Sequence, residues 1–162
     1  MVRQFLVVLA VSYAGAAASV WWLSGFVPWF LLPDFPFLAI VFTGLFIGGP
    51  VGFLAAIPPA LFREITVSAP PWTFFLSSMA LYFFSREIAL RLFVRAEYYI
   101  LAIVVSLLLT ESLSIVGLML LSGSRPFSFL WGMEEAVRIA WTGLLAVPLY
   151  MDLSGRWRRV KE

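Results

Sequence analysis

The chain has no cysteine and no histidine, and only 12% of its 162 residues are charged. Without cysteine there is no disulfide framework and no thiol nucleophile, and without either residue the common zinc and haem ligand sets are closed to it. The few charges, 11 basic against 9 acidic for a net +2, sit in short clusters at the edges of apolar runs. That is no phosphate-binding surface, so nucleic acid is not expected as a partner. Soluble globular chains are about half apolar and about a quarter charged; this one is 62% hydrophobic with a mean hydropathy of +0.99. The expected solvent is a lipid bilayer.

Each crossing of the roughly 30 Å hydrocarbon core takes about 20 apolar residues. Residues 1–162 therefore read as a single integral membrane domain, with no room for a second, soluble one. Apolar segments cover 4–23, 37–47, 51–62, 72–84 (extendable to 93), 98–121 and 133–150. The start resembles a cleavable signal peptide, with Arg3 before an apolar run and small residues from Ala14 to Ser19. The run continues through Trp21, Trp22 and Leu23, so an uncleaved first helix is expected.

The second and third segments are short. Gly48, Gly49, Pro50 and Gly52 separate them, and Pro58 and Pro59 interrupt the third. Read as one kinked crossing, they would put Arg86, Arg91 and Arg95 outside; read as two, they put that cluster and the tail Arg156, Arg158, Arg159 and Lys161 inside with Arg3, as the positive-inside rule requires. The expected fold is an all-α membrane protein, a bundle of six transmembrane segments with the second and third short and Gly/Pro-interrupted. The expected place is the bacterial inner (cytoplasmic) membrane, multi-pass, with both termini cytoplasmic. A re-entrant hairpin remains open for segments two and three.

Aromatic residues crowd the expected outer loops, among them Trp29, Phe30, Trp72 and Trp131. Amphipathic rings favour the membrane interface, and these four are also candidates for partner contact, because rigid aromatics anchor interfaces.

Six polar positions stand out. Glu111, between Thr110 and Ser112 in an apolar run, is expected to face the bundle interior and bond to hydroxyls, with a proton or substrate site as the sharper alternative. Glu134 and Arg138 are four apart, one helical turn, and are expected to pair. Asp34, beside proline, is a helix-start signal. Arg63 and Glu64 are adjacent and are expected to mark the outer end of the third segment. No nucleophile, base and orienting group fall together, and the glycines at 48–52 lack the Lys and Ser/Thr of a phosphate loop. Neither catalysis nor a cofactor is expected.

Taken together, Pro33-Asp34, the Gly49-Pro50 turn, Glu64 followed by Ser68-Ala69-Pro70, the intramembrane Glu111 and the basic tail resemble the rod shape-determining protein MreD family over essentially the whole chain. Two departures are visible: Glu64 stands where the family more often has Asp, and Pro71-Trp72-Thr73 where it commonly has a glycine-containing stretch. The resemblance implies a non-enzymatic component of the bacterial elongation machinery. Its partners would be an MreC-type single-span periplasmic protein, the MreB filament, RodA and a penicillin-binding transpeptidase. The rival reading is the substrate-binding membrane subunit of an energy-coupling-factor-type vitamin transporter, to which that family is also similar.

Overall fold

A computed structural model describes residues 31–66, 71–91, 97–121 and 129–159, together with Ala10, Ala14 and Ala17. Those three alanines are helical and exposed; the rest of the first expected segment, with Trp29, Phe30 and Pro70, lies outside the described residues. Everything described is helix, turn or short connection, with no strand among the described residues.

Helix α1 spans Phe35–Phe42. Asp34 starts it: Oδ1 accepts the Phe37 N–H at 2.9 Å, and Pro36 sits in the first turn, where a missing N–H is not needed. The chain continues as a π-helical turn, Thr43–Ile47, closed by the Gly48 N–H donating to the Thr43 carbonyl at 3.1 Å. Gly44 lies in this widened turn because its backbone runs against the next helix but one; a Cβ there would stand 2.7 Å from Ser85 Cβ and 2.8 Å from the Tyr82 carbonyl oxygen. Gly48 and Gly49 follow with φ of 58° and 61°, a left-handed pair that side chains resist, and the chain reverses.

Helix α2, Gly49–Thr66, runs past the 51–62 expected to include Arg63 and Glu64, and Pro58 and Pro59 do not break it. Proline's fixed φ is helical, so two prolines sacrifice hydrogen bonds without forcing the chain out of register. Glu64 near its end caps the next helix, α3 (Thr73–Arg91), by accepting the N–H groups of Trp72 and of Phe75, the latter at 3.0 Å. Trp72 holds this corner at φ 68°, a conformation natural to glycine, and it falls in the stretch where the resembled family carries one. Helices α4 (Glu97–Leu121) and α5 (Phe129–Arg159) complete the bundle.

Side-chain contacts fix the directions. Asp34 at the start of α1 meets Arg63 at the end of α2, while Gly49 at the start of α2 meets Tyr82 of α3. Ser112 of α4 bonds Glu135 of α5, and a Cβ on Gly143 would meet Val105. Consecutive helices are thus antiparallel, while α1 and α5 run the same way, with Asp34 near Arg138 and Phe46 stacked on Tyr150 at 5.6 Å. The short α1–α2 hairpin inserts between α3 and α5. Its apolar side chains Phe37, Leu38, Ile40 and Val41 are fully buried, with Tyr82, Ile100 and Leu108 packed in the same core.

Outside that core the surface is apolar. Leu54, Ile65, Leu76, Phe84, Leu113, Leu121 and Trp141 are all exposed. Soluble monomers rarely expose contiguous apolar patches above a few hundred Å². Among the described residues, one stretch is long and apolar enough to cross a membrane by itself, Tyr99–Gly117 in α4; Phe35–Ile47 is apolar but shorter. Helices α2, α3 and α5 carry internal charges: Arg63, Glu135 and Arg138 are gathered inside the bundle, while Glu87 and Arg91 of α3 pair on its surface.

Candidate functional site: a buried ionic network

Four helices bring five charged side chains to one level. Arg63 of α2 lies at its centre, 3% exposed. Its Nη1 and Nη2 donate to Glu111 Oε1 and Oε2 of α4 at 2.6 and 2.8 Å, a fork-to-fork pair. Nη1 also donates to Ser78 of α3 at 3.1 Å and Nη2 to Asp34 Oδ2 at 3.0 Å. The guanidinium carbon lies 5.6 Å from the centre of the Phe37 ring and 5.5 Å from that of Phe74, within cation–π range of both.

Asp34 passes the network on. While Oδ1 caps α1, Oδ2 takes Arg63 and, at 2.8 Å, Arg138 Nη1 of α5. Arg138 in turn grips Glu135 through Nε at 3.0 Å and through Nη2. Ser112 of α4 donates to Glu135 at 2.6 Å, and Ser77 of α3 to Glu111 at 3.1 Å. The Asp34 backbone N–H finds Thr142 of α5 at 3.0 Å. No buried side-chain polar atom among the described residues is left without a partner.

The electrostatics follow from the inventory. Three carboxylates face two guanidinium groups, a formal charge of −1 that the N-terminal end of α1 partly offsets through its Phe37 N–H. Each carboxylate accepts three hydrogen bonds, all from N–H or hydroxyl donors, which is the pattern of the ionised form. Burial of such charges is tolerable only as a set: removing one partner of a buried pair costs about 3–5 kcal/mol, because the other is left uncompensated.

Several sequence expectations change here. Glu111 faces the interior as expected, but its main partner is Arg63, with a hydroxyl second. Arg63 lies in the last turn of α2, near the end of the segment, but it is buried there and bonded to Glu111, Asp34 and Ser78. Arg138 pairs with Glu135, three residues back, not with Glu134, which stays half-buried to one side. On a helix i,i+3 and i,i+4 partners are both in reach, and only Glu135 lies on the face turned to Ser112 of α4. Asp34 is a cap as read, and an ion-pair bridge besides. Glu64 caps α3 rather than entering the network. Trp72 is exposed, edge-on to Phe75 at 5.9 Å, and Trp131 is half-buried.

Sequence reasoning missed Arg63 and Glu135 as members. The available signal was the count of charges in and beside apolar segments: Glu111 needs a cation, and Arg63 directly follows the segment 51–62. Comparison with protein-family models, with curated proteins and with solved structures finds no match for this chain.

Proposed function

We propose that the protein is a six-segment, multi-pass component of the bacterial inner membrane that acts by contact, as a scaffold in the cell-elongation assembly of the MreD type. One observation carries the choice against a vitamin-binding subunit. A solute site near the outer face needs several convergent polar groups free to meet a ligand, and among the described residues the two charged candidates are already engaged. Arg63 is bonded to Glu111, Asp34 and Ser78, and both Glu64 oxygens cap α3.

The membrane reading is supported by the exposed apolar side chains on α2, α3, α4 and α5 and by the gathering of interior charges into a satisfied set among the described residues. In hydrocarbon, ionisable residues pair with one another and face the bundle interior. With six segments and an inside amino end, Asp34, Glu64 and Trp72 lie toward the periplasm, and the Gly48–Gly49 turn with Arg86 and Arg91 toward the cytoplasm. The proposed partners are an MreC-type single-span periplasmic protein and, through it, MreB, RodA and a penicillin-binding transpeptidase.

The test is a pull-down from solubilised membranes combined with depletion in a rod-shaped host. The expected result is co-purification of the single-span partner and rounding of depleted cells. Tight vitamin binding, with loss of vitamin uptake on deletion and unchanged cell shape, would replace the scaffold by the transporter subunit.

A further inference from the structure

Helix α5 outruns the bundle at one end. Tyr150 stacks on Phe46, just before the Gly48–Gly49 turn, so this level marks the end of the α1–α2 hairpin. From Tyr150 the helix continues to Arg159, about 14 Å further at 1.5 Å per residue. Helix α3 stops at Arg91 and α4 starts at Glu97 at this same end.

The charges gathered here are unbalanced. Between α3 and α4, Arg86, Arg91 and Arg95 stand against Glu87 and Glu97; beyond Tyr150, Arg156, Arg158, Arg159 and Lys161 stand against Asp152 and Glu162. Glu87 is spent on Arg91 at 3.1 Å, and among the described residues the half-buried Arg86 has no carboxylate partner. The positive excess of this end is larger than the net +2 of the whole chain, so the rest of the protein is net negative.

The register of α5 decides what can meet these cations. At 100° per residue Arg156 and Arg158 are about 200° apart, and Arg159 falls between them on the side away from Trp157. The three arginine positions therefore ring the helix. A helix that lies flat on a membrane gathers its cations on one face, and a docked protein would cover one side only. A ring is matched by a layer of anions through which the helix stands upright. Headgroups add about 5–8 Å to each side of the hydrocarbon core, and Arg156 lies about 9 Å beyond Tyr150. Arginine and lysine stems reach back over such a distance to phosphate, and a tryptophan is favoured at the same depth.

We propose that the end of α5 from Arg156 onward binds the phosphates of anionic phospholipids around its circumference and so gathers these lipids in the leaflet at this end. The inference rests on the membrane reading above but not on the scaffold role.

The test uses the full chain reconstituted into vesicles of equal parts phosphatidylglycerol and phosphatidylcholine. Flotation comes first; a chain that does not float removes the membrane reading and this inference with it. For the floating chain, mild extraction followed by mass spectrometry of the lipids that stay bound should give at least a twofold excess of phosphatidylglycerol. The excess should collapse in 1 M salt, where the Debye length is about 3 Å. It should collapse likewise when Arg156, Arg158, Arg159 and Lys161 are all replaced by Gln, fall partway in Arg156→Gln with Arg158→Gln, and persist when the three arginines become Lys. Arg125→Gln, at the opposite end of the bundle, should leave it unchanged. Equal binding of the two lipids by the wild-type chain overturns the proposal. So does an excess that survives the fourfold replacement, which would move the lipid contact to Arg86, Arg91 and Arg95. Equal lipid binding, together with an acidic protein held by the wild-type chain and lost by the fourfold variant, gives this end to a protein partner instead.

Discussion

Arg63 and Glu111 are joined by two parallel hydrogen bonds of 2.6 and 2.8 Å, although 48 residues separate them in the chain. The pair ties the α1–α2 hairpin to α4 at a point where neither side chain reaches solvent. Its removal is therefore expected to act on the whole bundle.

Glu111→Leu and Arg63→Met should each destabilise by about 3–5 kcal/mol, since each leaves a buried charge short of a partner. Glu111→Gln keeps one acceptor for the fork and should lose less. The double variant Arg63→Met with Glu111→Leu should lose less than the sum of the two single losses, by a coupling of about 1–3 kcal/mol. Thermal unfolding in detergent, run as a double-mutant cycle, measures this; strictly additive losses would show that the two charges do not compensate each other.

Asp34 combines two roles that substitution can separate. Asp34→Asn retains an oxygen for the Phe37 N–H and loses the charge between Arg63 and Arg138. Asp34→Ala loses the cap as well, a further cost of about 1 kcal/mol. The expected order of stability is wild type, Asn, Ala, with the larger step between the first two.

Glycine substitutions should split by environment. Gly44→Ala drives a Cβ to 2.7 Å from Ser85 Cβ and 2.8 Å from backbone, and should cost about 1–3 kcal/mol by overpacking. Gly117→Ala meets nothing within 4 Å and should be neutral or gain up to about 1 kcal/mol in helix propensity. Equal effects at both positions would contradict the close approach of the π-turn to α3.

Reporter fusions test the orientation. Fusions after Arg95 and after Lys161 should report cytoplasm, and fusions near Pro33 and Arg125 periplasm. A cytoplasmic signal from the loop after Ser68 would exclude the six-segment topology.

Much of the helical layout was legible because apolar runs and their interruptions are local. The expected 37–47 and 98–121 lie within two residues of Phe35–Ile47 and Glu97–Leu121, and 72–84, extendable to 93, is Thr73–Arg91. The third segment was read short because its apolar run stops at Arg63, whereas the helix runs on to Thr66. The site was legible only in part. Glu111 announces itself by its apolar neighbours, but Arg63 lies three residues from the end of α2 while Glu111 lies ten from the end of α4. Counting depth from segment ends keeps them apart. What brings them level is the sinking of the short hairpin into the bundle, a property of the tertiary packing. Glu135 was passed over for a similar reason: both it and Glu134 are within a turn of Arg138, and only the position of α4 distinguishes them.

The bridging of Asp34 to Arg138 spans 104 residues, and this sets an order on biogenesis. A ribosome exposes Asp34 first, then Arg63, which neutralises it; Glu111 restores a negative excess, and Arg138 arrives last, just after Glu135. At about 5–20 residues per second, the Arg63 fork waits some 2–10 s for Glu111. During that wait the hairpin carries an unfinished charge set, which favours holding it at the insertion machinery or the headgroup layer rather than in hydrocarbon. A chain truncated before Arg138 leaves Asp34 with one of its two guanidinium partners.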